Sequence, residues 1–154
     1  MPAASKTITV WDSGVIARLC FRGNIDGFAD GEYTDAKGYG YTKGTRIVDS
    51  SEPQRHKKLG CPEVMITGGV RVKTGPGRFE VEMGGTDFWT ESMGKVNVQG
   101  HTLDLAITKE ATKKLSWSYS GDVNVGPDGM LSIDFSPGPK GEPVVLAYVI
   151  VRGK

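Results

Sequence analysis

The chain has no apolar run approaching the roughly 20 residues of a membrane-spanning helix, and its first residues, MPAASKTITV, lack the hydrophobic stretch of a signal peptide. A soluble protein with no membrane span is expected. Cysteine is almost absent. Cys20 and Cys61 allow one disulfide at most and form no CxxC pair, which excludes a disulfide-stapled scaffold and a structural zinc site. Cys20 falls in a strand-like stretch and Cys61 precedes Pro62 in a loop, so free thiols are expected. There are two histidines, His56 and His101, too few and too far apart in sequence for a histidine metal triad. No excess of one charge exists either: 19 Lys and Arg against 18 Asp and Glu leave no field to draw in nucleic acid or an anionic membrane. The short basic run RHKK (55–58) reads as a solvated loop.

Catalytic signatures are missing in the same way. WDSG (11–14) resembles an esterase nucleophile block superficially, but no glycine precedes Asp12 and neither histidine has an aspartate three residues upstream. The carboxylate pairs Asp87 with Glu91 and Asp122 with Asp128 lie in turn-like segments, where acids are ordinarily solvated. The expectation is a protein that is not an enzyme and requires no cofactor.

What is present is strand periodicity. In RFEVEM, Phe79, Val81 and Met83 alternate with Arg78, Glu80 and Glu82, and in TLDLAIT the residues Leu103, Leu105 and Ile107 face one way. ITVW, VIARLCF (15–21), GVRVK (69–73), KVNVQ (95–99), KLSWSY (114–119), MLSIDF (130–135) and VVLAYVIV (144–151) pass the same test. TGPG, GPDG and SPGPKGEP punctuate them as turns. One short stretch, TKEATKKL (108–115), has helix-like composition. With 154 residues and no composition shift, the prediction is one all-β domain over 1–154, an antiparallel β-sandwich or jelly roll.

Residues 22–45 then read as a long connection carrying Phe28, Tyr33, Tyr39 and Tyr41 among glycines and charges. TDFWTE, following a strand that ends at Met83, supplies a second aromatic group in Phe88 and Trp89 beside Asp87. If loops from one end of the sandwich converge, both groups line one concave site. Sugars suit such a site: a ring stacks on their apolar C–H faces while a neighbouring carboxylate orients their hydroxyls. The same rings turned inward would cap the sandwich instead. Trp11 and Trp117, in strand-like segments, are expected in the core. In NIDGFADGE, Asp26, Asp30 and Glu32 have oxygen ligands at a spacing that can hold a structural calcium.

DGMLSIDFSPGPKGEPVVLAYVIVRG (128–153) resembles the closing segment of malectin and malectin-like domains, with Gly129, Leu131, Ile133, Phe135, Pro143, Val145, Ala147 and Ile150 on the pattern. GGVRVKTGPGRFEVEMGGTDFW and KGYGY are similar to the family's strand, aromatic-loop and Tyr-Gly units. GYGY with RFEVEMGG and VNVQG is also similar to the galactose-binding-like module that precedes the catalytic domain of rhamnogalacturonan acetylesterases. The resemblance implies a lectin-like jelly roll that binds an oligo- or polysaccharide, in an extracellular or secreted setting, with a catalytic domain as a possible neighbour in a larger chain. It implies ligand contacts from Tyr39, Phe88 and Trp89, with Tyr41 bordering them. Gly141 stands where the family has its acidic residue, and Glu142 beside it is the substitute. No tyrosine occurs in QRHKKLG, where the family has a second one. The alternative function is a structural or protein-interaction sandwich using the same aromatics as an interface.

Overall fold

The computed structural model describes residues 15–20, 32–49, 64–88, 93–109 and 115–153. Among them are twelve strands and no helix, so none long and apolar enough to cross a membrane. In chain order they are β1 (Val15–Cys20), β2 (Tyr39–Tyr41), β3 (Arg46–Asp49), β4 (Val64–Lys73), β5 (Gly77–Phe88), β6 (Lys95–Val98), β7 (His101–Thr102), β8 (Ala106–Lys109), β9 (Leu115–Val125), β10 (Met130–Ser136), β11 (Val144–Leu146) and β12 (Tyr148–Gly153). All twelve pair antiparallel, in two sheets. One runs β1-β12-β5-β9-β8; the other is built on β4, β10, β6 and β7, with β2, β3 and β11 also pairing β4.

Alternation explains the layering. Val64, Ile66, Val70 and Val72 of β4, with Leu131, Ile133 and Phe135 of β10, face Phe79, Val81 and Met83 of β5 and Val149 and Val151 of β12, and all are buried. Each β-branched or aromatic side chain on these inner faces removes apolar surface from water, worth about 1.5 to 3 kcal/mol when fully buried. The result is an antiparallel jelly-roll sandwich, as the strand periodicity predicts. Trp117 lies in this core, as expected, only 2% exposed.

Two predicted strands are divided by the crossing between sheets. TLDLAIT becomes β7, which pairs β6, and β8, which pairs β9 in the other sheet; residues 103–105 make the passage. Leu103 and Leu105 pack partly against the core, but Ile107 is 44% exposed. VVLAYVIV likewise becomes β11 on β4 and β12 on β5, with Ala147 between them donating its N–H to the Gly84 carbonyl at 2.8 Å. Sequence alternation cannot register a change of partner, because it records which residues are apolar and not which strand each one pairs. The helix-like stretch contributes strand at both ends, Thr108–Lys109 in β8 and Leu115 in β9; residues 110–114, like ITVW, lie outside the described residues.

A second departure concerns residues 22–45. Tyr39–Tyr41 is a strand rather than part of a loop, pairing β4 as Tyr39 with Val72 and Tyr41 with Val70. β10 pairs β4 over the same residues, so β2 must occupy the opposite edge. Thr42 and Thr45 hold the turn from β2 to β3 against that edge. Thr42 N–H donates to the Gly69 carbonyl at 2.9 Å, and Gly69 N–H donates to Thr45 Oγ1, also at 2.9 Å.

Candidate functional site

The tyrosine segment folds as a small hairpin on the edge of the β4 sheet. Gly38 N–H donates to the Thr34 carbonyl at 2.9 Å and Tyr33 N–H to the Tyr41 carbonyl at 2.8 Å, closing a turn over residues 35–38. Gly40, at φ +150°, is buried beneath the backbone of Tyr33, and a Cβ there would strike it; glycine is what lets the two segments approach. Directly opposed residues share a face, so Tyr39 and Tyr41 lie on the inner face with Val72 and Val70. Both are half-buried and pack partly against the core. The rings are thus neither free in solvent nor sealed in the interior.

Polar residues of the same hairpin lie near this segment. Lys37 Nζ stands 5.6 Å from the centre of the Tyr39 ring, within cation–π range. Tyr33 donates its hydroxyl to Asp35 Oδ1 at 3.0 Å. Partial burial, then the hydrogen bond to Asp35 and its charge, push the Tyr33 phenol above its ordinary range. Glu32 is exposed and joined to the hairpin by a backbone bridge to Tyr41. Asp26 and Asp30, the other two members of the calcium set, lie outside the described residues, among which no group of three or more metal-ligating side chains occurs.

The backbone of Phe88, from the second aromatic group, lies elsewhere. β5 does not end at Met83 but continues through Gly84 and Gly85 to Phe88, which pairs Leu115 beyond an irregularity in register. Asp87 and Phe88 are therefore strand positions by backbone, and Trp89 lies outside the described residues. Residues 74–76 connect β4 to β5, so Tyr39, opposite Val72, sits near the start of β5, whereas Phe88 is its last residue. Eleven strand steps separate Gly77 from Phe88, on the order of 30 Å. By backbone, Tyr39 and Phe88 therefore stand near opposite ends of β5.

Glu142 is apart from the tyrosines as well. It belongs to the turn before β11, where its Oε1 accepts the Lys140 N–H at 2.7 Å while its carbonyl accepts the Gly138 N–H at 2.8 Å. The carboxylate holds its own turn together. Beside this turn the outer face of the β4 sheet carries a cavity of about 220 Å³ lined by Arg46, Met65, Thr67, Gly141 and Pro143. Sequence reading missed it, because its lining comes from three segments whose adjacency depends on register: Arg46 pairs Thr67, and Met65 pairs Val145, two residues beyond Pro143.

These features define a class by fold, the antiparallel jelly-roll sandwich. No family model matches the chain and no curated protein matches it. Among solved structures, YXIM from Bacillus subtilis is similar with a TM-score of 0.63 at 18% identity, covering 89% of this chain and 39% of that one. A calcium-binding mutant of Bacteroides uniformis β-glucuronidase 2 has a TM-score of 0.59 at 16% identity, covering 89% of this chain and 18% of the enzyme. A weaker likeness, TM-score 0.45 at 9% identity, is to the CBM22-1 xylan-binding domain of Paenibacillus barcinonensis Xyn10C, covering 91% of this chain and 95% of that one. At these identities what is shared is the fold. The chain spans well under half of YXIM and under a fifth of the β-glucuronidase.

Proposed function

We propose that this chain is a non-catalytic carbohydrate-binding module of galactose-binding-like type that takes an oligo- or polysaccharide at the tyrosine hairpin. The observation that carries the reading is the hairpin itself: half-buried Tyr39 and Tyr41 held by strand pairing, with Lys37 over the Tyr39 ring and the Tyr33–Asp35 hydrogen bond in the same hairpin. A ring fixed by a sheet stacks on a sugar at little entropic cost, and the polar neighbours address hydroxyls. Likeness to one part of a β-glucuronidase supports a module that accompanies a carbohydrate-active catalytic domain. The finer placing among malectin-like domains rests on the motifs of residues 128–153 and KGYGY, and the backbone of Phe88 stands at the far end of β5 from the hairpin.

Affinity electrophoresis and calorimetry over a broad panel of soluble glycans test the reading. Tyr39→Ala is expected to weaken binding about tenfold or more, roughly 1.4 kcal/mol per factor of ten. Failure of every glycan to bind below millimolar concentration, together with concentration-dependent self-association, would replace it with the protein-interface reading.

A further inference from the structure

The cavity on the outer face of the β4 sheet has a composition the tyrosine site lacks. Its floor is Met65 and Thr67, its walls are Arg46 on one side and Gly141 and Pro143 on the other. A Cβ at Gly141 would meet nothing within 4 Å, so the rim is open to solvent there. At about 220 Å³ it is below the roughly 300 to 1,000 Å³ of sites for drug-sized ligands, which limits the occupant to one ring-sized unit.

Arg46 is the chemical signal. The other arginines whose side chains are described all face carboxylates: Arg71 with Asp134 at 3.0 Å, Arg78 with Asp122 at 2.9 Å, and Arg152 with Glu82 at 3.0 Å and Glu80 at 3.4 Å. Among the described residues Arg46 has no such partner. The acid closest in sequence to the opposite wall, Glu142, turns its Oε1 to the Lys140 N–H and does not line the cavity. A guanidinium with no carboxylate partner among the described residues, beside an apolar floor, presents a planar fork of donors to a carboxylate, while Met65 and Pro143 offer soft apolar surface to the rest of the molecule. The Thr67 hydroxyl adds one donor and acceptor at the base.

We infer that this cavity is a second ligand site, one that binds the carboxylate and ring of an acidic sugar, a uronate unit. The carboxylate engages Arg46, the C–H face rests on Met65 and Pro143, and a ring hydroxyl meets Thr67. The inference shares with the proposed function only the chemical class of ligand; the site is on the outer face, whereas Tyr39 and Tyr41 lie on the inner one.

Titration of the labelled full chain by two-dimensional NMR, using the methyl glycosides of glucuronate and galacturonate, methyl glucoside and acetate, tests it. The expected result is saturable movement of the Thr67 and Gly141 amides with at least one uronate, and much weaker movement with methyl glucoside or acetate. Arg46→Gln should weaken uronate binding tenfold or more, and Arg46→Lys, which keeps the charge without the fork, should fall between. Raising the ionic strength should weaken it further. Arg46 is exposed, so both variants should retain wild-type spectra; Thr67→Val supplies an independent variant with an expected loss of severalfold. Equal response to acetate would reduce the site to a carboxylate contact and overturn the sugar assignment, as would equal response to methyl glucoside or unchanged affinity in Arg46→Gln. The two sites separate cleanly: neutral glycan binding that is lost in Tyr39→Ala and untouched in Arg46→Gln, with no uronate response, sinks this inference alone. A uronate response at Thr67 with no effect of Tyr39→Ala on any glycan sinks the hairpin reading alone.

Discussion

Trp117 ties the two sheets together through a single hydrogen bond. Its Nε1–H donates to the Val145 carbonyl at 2.6 Å, reaching across a gap that exists because Gly85 has no side chain. Trp117→Phe keeps most of the ring but strands that carbonyl, and a loss of about 1 to 3 kcal/mol in denaturant unfolding is expected. Tyr148 makes a comparable use of glycine, its ring lying over its cross-strand partner Gly84 on the outer face of the other sheet. Burial, then the charge of Glu82 and a long 3.4 Å hydrogen bond to it, push the phenol up to about 12, with Arg152 opposing. Raised above its ordinary value near 10, the folded-state phenol holds a proton that the unfolded chain releases. Its contribution is therefore complete below about pH 10 and is lost as pH rises through about 12. Stability of the wild type should fall over that window, and Tyr148→Phe should show a flatter profile there in alkaline unfolding; parallel profiles would remove Tyr148 as the titrating group.

β2 is only three residues long, yet it determines what the tyrosines can do. Placed on the edge of β4, it turns Tyr39 and Tyr41 to the inner face, so each ring serves packing and remains partly accessible. An exposed loop ring could be removed without cost to stability; a half-buried one cannot. Tyr39→Ala should cost about 1 to 2 kcal/mol, roughly half the loss from a core aromatic, alongside its effect on glycan affinity. Melting temperature measured with and without glycan separates the two contributions, and an unchanged melting temperature would mean that the ring packs on nothing. GYGY is legible in sequence as an unusual aromatic and glycine cluster. Its strand pairing is not, because three residues with glycine at the centre show no alternation of apolar side chains.

For the molecule as a whole, the inner faces of both sheets form one continuous cluster from Leu19 to Val151. Such a core should melt as a unit. Calorimetry of the 154-residue chain is expected to give one transition, with an enthalpy of about 110 kcal/mol near 60 °C and agreement between calorimetric and van't Hoff values. Two resolved transitions would show more than one folding unit in the chain.

The all-β class, most strand positions and the burial of Trp117 follow from the amino-acid sequence by itself, since a strand with one face on a core must alternate, and RFEVEM and MLSIDF do so plainly. Tertiary structure alone decided which strands neighbour which. It broke two apparent strands at the passages between sheets, around Leu103 to Leu105 and at Ala147, and carried Phe88 away from Tyr39 to the far end of β5. It also set Arg46 opposite Thr67, opening a cavity from residues that no local pattern connects. The physical reason is that periodicity records how each residue meets a face, a local property, whereas register and crossover depend on hydrogen bonds between segments distant in the chain.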